Sequence, residues 1–269
     1  MLSDADAALL ARLPPTSPTP YHALNPLTKA VLAAVCTLAP IVSGGYLVPA
    51  LVLGGFVVPG LVIADVVRPA FRNAVLVTLP IGISVAIVSI LGRAGTHVLF
   101  TLGPFDATLE GLDFALRIEF RLLVLALTLA LFGMTTEPRS LVVDLERRGV
   151  SRRLAFAAAA TLDAIPSLAA RAQDIQAAQR ARGLDTEGSI AARLRGVLPL
   201  AGPAVLGTLH DVETRSLALE ARAFDRPGRR HLLWAPADSE LQRAARWLLL
   251  GALLALLASR ALGVLAAVP

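Results

Sequence analysis

Residues 30–64 read AVLAAVCTLAPIVSGGYLVPALVLGGFVVPGLVIA and contain no charged side chain. A membrane-spanning helix needs about 20 mostly apolar residues. These 35 uncharged residues are therefore too many for one span and enough for two. The triplet Ser43-Gly44-Gly45 interrupts the stretch near its middle, as a tight turn would. We predict two membrane helices here, at about 28–43 and 46–64.

The whole chain has the composition of a membrane protein. Of its 269 residues, 55% are hydrophobic and 17% are charged, and the mean hydropathy is +0.67. A soluble domain has about 45–50% apolar and about 25% charged residues. This composition excludes a disordered chain and a nucleic-acid-binding domain, and it does not suit an ordinary soluble enzyme. The single cysteine, Cys36, excludes an intrachain disulfide and a zinc cluster built from cysteines.

Three further apolar stretches predict three more spans, at about 73–92, 114–134 and 247–267. The middle one has a short apolar part, so its helix must include charged residues near its start. Two of these, Glu119 and Arg121, either pair with each other or extend toward the membrane surface. The fold class predicted is all-α, a polytopic membrane protein with about five transmembrane helices.

The distribution of charge predicts which side of the membrane each loop occupies. Residues 139–230 contain 15 Arg and 10 acidic residues, whereas the rest of the chain carries 10 basic and 10 acidic residues. Because basic loops tend to stay in the cytoplasm, we place this region there. Arg68 and Arg72 put their short loop on the same side, and the more acidic loop 93–113 suits the outside.

We therefore predict a multi-pass protein of the plasma membrane, with a cytoplasmic N-terminus and an external C-terminus. The polar, proline-rich start of the chain lacks the regions of a signal peptide, so no cleavage is expected. The predicted parts are an N-terminal cytoplasmic segment (1–27), a four-span membrane domain (28–138), a cytoplasmic region of helices (139–245) and a C-terminal transmembrane helix (246–269).

The predicted cytoplasmic region contains amphipathic helices. Apolar residues recur at helical spacing and predict long helices at about 166–182 and 204–223. Shorter helices are predicted at about 139–148 and 152–164. Between the long helices, residues 183–188 are expected to form a turn, and the two prolines at positions 199 and 203 are expected to break any helix before residue 204.

The two long helices end in similar sequences. The first ends Ala181-Arg182-Gly183-Leu184-Asp185 and the second ends Ala221-Arg222-Ala223-Phe224-Asp225, with the two arginines 40 residues apart. One interpretation is local: an Arg favours the negative end of the helix dipole, and Gly is a common helix cap. The other is functional: a small-Arg-small tip enters a groove of a partner, where the guanidinium meets a carboxylate.

These residues resemble the transmembrane T component of energy-coupling factor (ECF) transporters, the EcfT/CbiQ-like family, from about residue 21 to the end of the chain. His22-Ala23-Leu24-Asn25-Pro26-Leu27-Thr28-Lys29 resembles the family's Leu-Asp-Pro-x-x-Lys at the start of the first span, with Asn25 in place of the usual Asp. Ala181-Arg182-Gly183 matches the family's tip signature, and Ala221-Arg222-Ala223 carries Ala for its Gly. The fourth span also resembles the family pattern, with Gly111, Arg121 and Thr135-Thr136-Glu137-Pro138.

The resemblance implies a coupling subunit. It would link two cytoplasmic ATP-binding cassette ATPase subunits to a substrate-binding membrane subunit, the S component, and so drive uptake of a vitamin such as biotin, riboflavin or thiamine, or of a transition-metal ion such as cobalt. The residues carried over as ATPase contacts are Ala181, Arg182, Gly183, Ala221, Arg222 and Ala223. The chain itself is expected to have no catalytic residue, no cofactor, no metal site and no nucleic-acid partner.

Two other classes of function are weighed against this one. An enzyme or ATPase is disfavoured, because the chain has no Gly-x-x-x-x-Gly-Lys-Ser/Thr loop and its four histidines are scattered. A stand-alone transporter would need ionisable residues within several spans, and the first three predicted spans lack them. An exporter-type permease subunit would have a single coupling motif rather than two matched helix tips.

Overall fold

The computed structural model describes residues 19–92, 95, 97–102, 105–183, 190–224 and 236–262. The described chain is mostly helical, and the all-α class is confirmed. It also contains a short antiparallel ribbon that the sequence analysis did not predict. The elements are α1 (Pro26–Val42), α2 (Leu47–Ile63), α3 (Val67–Gly92), β1 (Val98–Leu102), β2 (Phe105–Thr108), α4 (Leu109–Thr135), α5 (Pro138–Arg147), α6 (Arg152–Ala181), α7 (Ile190–Ala221) and α8 (Glu240–Ala261).

The predicted spans correspond to α1, α2, α3, α4 and α8. Among the described residues, α3, α6 and α8 are long and apolar enough to cross a membrane by length and composition, and α1 and α2 are shorter apolar helices. The chain is thus a polytopic membrane protein. The end of the last predicted span, 263–267, lies outside the described residues, as do residues 184–189 and most of the N-terminal segment.

Four of the described helices begin where the sequence supplies an N-cap side chain, at Asn25, Thr108, Ser151 and Ser239. The Asn25 side chain accepts a hydrogen bond from the Leu27 N–H of α1 at 3.0 Å, and Pro26 occupies the first turn, where its missing N–H costs nothing. Thr108 caps α4 and Ser239 caps α8 in the same way. Such a cap stabilises a helix by about 1 kcal/mol. Within α2 the chain makes a π-helical turn at Leu53–Val57, for which we have no physical account.

On α3, small side chains face the interior of the helix bundle and large apolar side chains face outward. Ala70 and Ala74 of α3 are buried, whereas Leu76 and Val88 of the same helix are 68% and 69% exposed. Small residues let helix backbones approach closely in a membrane, where lipid covers the large apolar side chains. The small side chains of α3 therefore allow it to pack closely against its neighbours in the bundle.

Two predicted helix breaks were wrong. The helices predicted at 152–164 and 166–182 are one helix, α6, which continues through Pro166. The helix predicted to begin at 204 begins at Ile190, so the prolines at 199 and 203 lie within α7. A proline removes one backbone hydrogen bond and crowds the preceding turn, and the Ala-rich and Leu-rich neighbours have high helix propensity, which offsets that cost.

The described helices group into two compact units. One contains α1–α4, most of α5 and α8, with the ribbon β1–β2. The other contains α6 and α7. The candidate functional residues fall in both units, and each set is described within its own unit below.

Candidate functional site

The first Arg tip lies at the C-terminal end of α6. Arg182 is the C-cap residue, and Gly183 adopts a left-handed conformation with φ +86°. The Gly183 N–H donates to the Arg180 carbonyl at 2.9 Å, which satisfies one of the last carbonyls of the helix. Only glycine adopts this conformation without strain, so Gly183 is where α6 must stop.

The second tip, at the end of α7, has the same backbone geometry without a glycine. Ala223 adopts φ +53°, and its N–H donates to the Glu220 carbonyl at 2.9 Å. The Phe224 N–H donates to the Leu219 carbonyl at 3.0 Å, which completes a Schellman motif. An Ala in the left-handed region costs about 1 kcal/mol, so the fold holds this tip in shape against a local preference.

All six residues of the two signatures are exposed. Neither Arg182 nor Arg222 makes a side-chain hydrogen bond or salt bridge within the part of the chain that the structure describes. The local interpretation of these arginines, as residues that complete their own helix ends, therefore explains the Gly183 and Ala223 caps but gives the two guanidinium groups no partner among the described residues.

The helices α6 and α7 run antiparallel. About two thirds of the way along each helix, Arg171 Nη2 lies 2.8 Å from Asp211 Oδ2. Near the start of α6, the Phe156 ring lies against the Phe224 ring at the end of α7, with 4.9 Å between centroids. The Arg152 guanidinium stacks on the same Phe224 ring and donates to its carbonyl. The end of α7 is thus fixed to the beginning of α6.

This arrangement separates the two tips. Arg222 lies beside Phe224 and hence near Phe156, whereas Arg182 lies at the other end of α6, 26 positions beyond Phe156. At about 1.5 Å per residue, that is roughly 39 Å along the helix. The α6–α7 pair therefore presents two like tips at its opposite ends.

In the other unit, Asn25 is the centre of a buried polar cluster. It is fully buried, and its Nδ2 donates to Asp144 Oδ1 at 3.2 Å and to the Ala237 carbonyl at 3.3 Å. Its backbone N–H donates to Gln242 Oε1 at 3.0 Å. One residue thus joins the start of α1 to α5 and to the start of α8. The amide can donate to Asp144, which an ionised aspartate at position 25 could not do.

Lys29 extends this cluster toward α4. It is 3% exposed, and its Nζ donates to the Thr135 carbonyl at 2.8 Å and to the His22 carbonyl at 3.0 Å. The Tyr21 ring lies 5.7 Å from the same Nζ. Burial raises the pKa of Tyr21 to about 12, so its phenol stays neutral beside the ammonium. The Lys of the first motif and the Thr at the end of the fourth span are therefore direct partners.

Arg246 of α8 completes the cluster. It forms a two-pronged ion pair with Asp238, at 2.9 and 3.0 Å, and donates to Thr28 Oγ1 at 2.8 Å. The sequence analysis identified Asn25 and Lys29 through the family resemblance but missed Asp144, Gln242 and Arg246. These three partners lie more than a hundred positions from α1 along the chain, so no local pattern could indicate them.

Changing Asn25 to Asp should destabilise the protein. The substitution keeps the helix cap but places a second carboxylate against buried Asp144, and we expect a loss of about 2 kcal/mol. Thermal unfolding of the purified chain in detergent measures it. The exchanged pair Asn25→Asp with Asp144→Asn restores one donor and one acceptor and should recover most of the loss. Equal melting temperatures for Asn25→Asp and the unchanged protein would contradict the role given to this contact.

Glu119 and Arg121 of α4 do not pair with each other, as one of the two alternatives had predicted. Arg121 Nη2 donates to the Gly44 carbonyl at 2.7 Å, in the turn between α1 and α2. Glu119 packs on the opposite neighbour, α3, where its carboxylate lies against Gly82. Side chains that are two positions apart on a helix point in different directions. This is why Glu119 and Arg121 do not pair.

Comparison with known proteins shows similarity over most of the chain to the same family that the sequence motifs resemble. The family model described as "Cobalt transport protein", CbiQ, matches residues 17–232. The energy-coupling factor transporter transmembrane protein EcfT of Limosilactobacillus fermentum is 31% identical over 172 residues, which are 59% of this chain and 64% of that protein, just under two thirds of its length. The protein of the same name from Heliobacterium modesticaldum is 29% identical over 227 residues, 77% of this chain and 80% of that protein.

A third relative carries a different name. A putative ABC transporter ATP-binding protein of Bifidobacterium longum is 33% identical over 147 residues, which are 51% of this chain but only 19% of that protein. Most of that longer protein therefore has no counterpart in the matched part of this chain.

Proposed function

Because this chain belongs to the CbiQ family of cobalt transport proteins, we propose that it is the transmembrane coupling (T) subunit of an energy-coupling factor importer. In this role it transmits the ATP-driven motion of two cytoplasmic ATPase subunits to a substrate-binding S component. The cargo is a vitamin or a transition-metal ion, and its recognition belongs to the S component. The chain is a non-catalytic subunit of this assembly.

The observation that carries the proposal is the pair of exposed Arg tips at opposite ends of the α6–α7 pair. Each tip presents a guanidinium without an internal partner among the described residues, beside small side chains that permit close approach. A guanidinium binds a carboxylate through two parallel hydrogen bonds. Two such tips, roughly 39 Å apart along α6, suit two separate acidic grooves, one on each ATPase subunit.

The relatives support the same partners. Two of them are named as transmembrane proteins of energy-coupling factor transporters. In the Bifidobacterium longum relative, a segment similar to this chain belongs to a protein named for ATP binding. Since this chain lacks a phosphate-binding Gly-x-x-x-x-Gly-Lys-Ser/Thr loop, the shared segment is not that loop. A polypeptide that joins the two functions supports an association between them.

In this proposal α6 lies in the cytoplasm, although its length and composition also allow a membrane span. The proposal is supported by the charged residues along the helix and by its ion pair with α7 through Arg171. Both signature tips and the arginine excess of residues 139–230 then face the ATPases, and the C-terminus is external.

Cysteine labelling distinguishes these locations, because Leu154 and Ala178 lie near opposite ends of α6 and both are exposed. In a Cys36→Ala background, we expect neither Leu154→Cys nor Ala178→Cys to react with a membrane-impermeant maleimide in intact cells, and both to react after permeabilisation. His97→Cys in the proposed external loop is the matched positive control. Labelling of only one α6 position from outside would show that α6 crosses the membrane, and labelling of both would place α6 outside. Either result would overturn this topology.

Co-purification tests the function itself. The tagged chain, isolated from the organism that encodes it, should bring down one or two ATPase subunits and a small membrane protein, and that membrane protein identifies the cargo. The chain alone in vesicles should show neither ATP hydrolysis nor uptake. Substrate accumulation by the chain alone would favour a stand-alone transporter and reject the coupling subunit.

A further inference from the structure

A cavity of about 690 Å³ lies in the first unit, between the end of α1 and the helices α4 and α8. It lies at the opposite end of the bundle from the Lys29–Thr135 contact. Arg121 in this cavity precedes Thr135 by 14 positions on α4, which is about 21 Å along the helix. Since the hydrocarbon core of a bilayer is about 30 Å thick, the cavity lies toward one membrane surface.

One of the three arginines in this cavity is neutralised within the protein. Arg117 Nε lies 2.7 Å from Asp113 Oδ2. The Tyr46 hydroxyl donates to Asp113 Oδ1 at 3.0 Å, which holds the carboxylate in place. The Asp113 carboxylate therefore balances the positive charge of Arg117, so Arg117 does not need a second anion.

The other two arginines, Arg121 and Arg260, approach Gly44 together. Arg121 donates to the Gly44 carbonyl through Nη2, and its Nε is buried without a hydrogen-bond partner. Arg260 Nη1 lies 3.4 Å from the position that a Cβ on Gly44 would occupy. Arg121 is close enough to Arg260 for their charges to repel.

Within the described ranges, neither of these two guanidinium groups has a carboxylate partner. The other acidic residue that lines the cavity, Glu110, accepts a hydrogen bond from the His97 N–H at 3.3 Å. Two like charges at the edge of a low-dielectric membrane are costly unless a counter-ion neutralises them. Gly44 lacks a side chain at the point where they converge, which leaves room for an anion.

We propose that Arg121 and Arg260 bind the phosphate group of an anionic phospholipid. The cavity opens at a membrane surface, and exposed apolar side chains on the two flanking helices supply a surface for the acyl chains. Leu38 and Ile41 lie on α1, and Leu257 lies on α8 one turn before Arg260. The headgroup phosphate receives hydrogen bonds from both guanidiniums while the chains follow these helices. This site is separate from the Arg tips and does not depend on the proposed coupling role.

Native mass spectrometry of the full chain in detergent tests the proposal by titration with phosphatidylglycerol. We expect one tightly bound lipid per chain, and roughly tenfold weaker binding in Arg260→Gln, because one charge-assisted contact is lost. Arg243→Gln is the matched control, since Arg243 lies on the same helix at its other end and pairs with Glu240. Its lipid affinity should not change. Arg121→Gln should resemble Arg260→Gln, and thermal unfolding confirms that each variant is folded.

Two results would overturn the proposal. In the first, Arg260→Gln and Arg121→Gln, both folded, bind phosphatidylglycerol as tightly as the unchanged chain. In the second, millimolar inorganic phosphate displaces the lipid completely, which assigns the site to a small free anion. Retention of phosphatidylglycerol in the presence of phosphate, with weaker binding of zwitterionic phosphatidylcholine, supports the anionic lipid.

Discussion

Replacing Arg182 and Arg222 together with alanine should abolish ATP-driven uptake while the chain still enters the membrane. If each guanidinium is desolvated against a carboxylate of an ATPase, its removal costs about 3 kcal/mol per site, or roughly a hundredfold in affinity. Because the tips lie at opposite ends of the α6–α7 pair, the single variants should each weaken the complex, and the double variant should lose both ATPases. Co-purification and uptake with the partners present measure these two effects.

Arg215→Ala is the matched control for this experiment. Arg215 is exposed on α7 two turns before Arg222, so its removal changes the net charge as much as either single tip variant does, without touching a tip. We expect it to retain both binding and uptake. Normal uptake by the double variant would reject the tips as ATPase contacts. If Arg215→Ala lost as much binding and uptake as a single tip variant, the effect would be explained by net charge alone.

Gly111→Ala should greatly lower the amount of folded protein. A Cβ at Gly111 would overlap the Ser89 carbonyl oxygen and would lie 2.9 Å from the Ile90 Cα, both in the backbone of α3. Backbone atoms cannot turn away as a flexible side chain can, so α3 and α4 must separate. We expect a loss of about 3 kcal/mol, measured as a lower melting temperature and a smaller monodisperse fraction in detergent.

Gly133→Ala tests whether this effect is specific to the helix contact. Gly133 lies on the same helix, and no atom lies within 4 Å of the Cβ that alanine would add. This variant should be as stable as the unchanged chain or more so, because alanine favours a helix over glycine. A similar loss in both variants would show that glycine is needed in α4 for a reason other than its approach to α3.

The membrane helices were predictable because their signal is local. The absence of charge from residues 30–64 and the Ser43-Gly44-Gly45 turn were sufficient to locate α1 and α2. The ribbon β1–β2 was missed because the loop was examined only for its charges. Its apolar and β-branched run, Val98-Leu99-Phe100-Thr101-Leu102, followed by a Gly-Pro pair, was the available signal.

The candidate site was only partly predictable for a different reason. The exposed tips could be identified because each is a continuous run of residues that occurs twice. The distance between the tips could not be predicted, because it depends on the contact between Phe156 and Phe224, which are 68 positions apart in the sequence. The continuity of α6 through Pro166 matters for the same reason, because a break there would have shortened the distance between the tips.

The apolar side chains on α6 and α7 also have a consequence for the life of the protein in the cell. Ile165, Leu206 and Leu209 are all more than half exposed. An exposed apolar surface of this kind is a substrate for proteases and chaperones until another subunit covers it, and binding a partner stabilises the folded chain by mass action. A subunit made in excess over its partners should therefore be degraded quickly. Quality control, rather than matched synthesis, would then set the stoichiometry of the assembly.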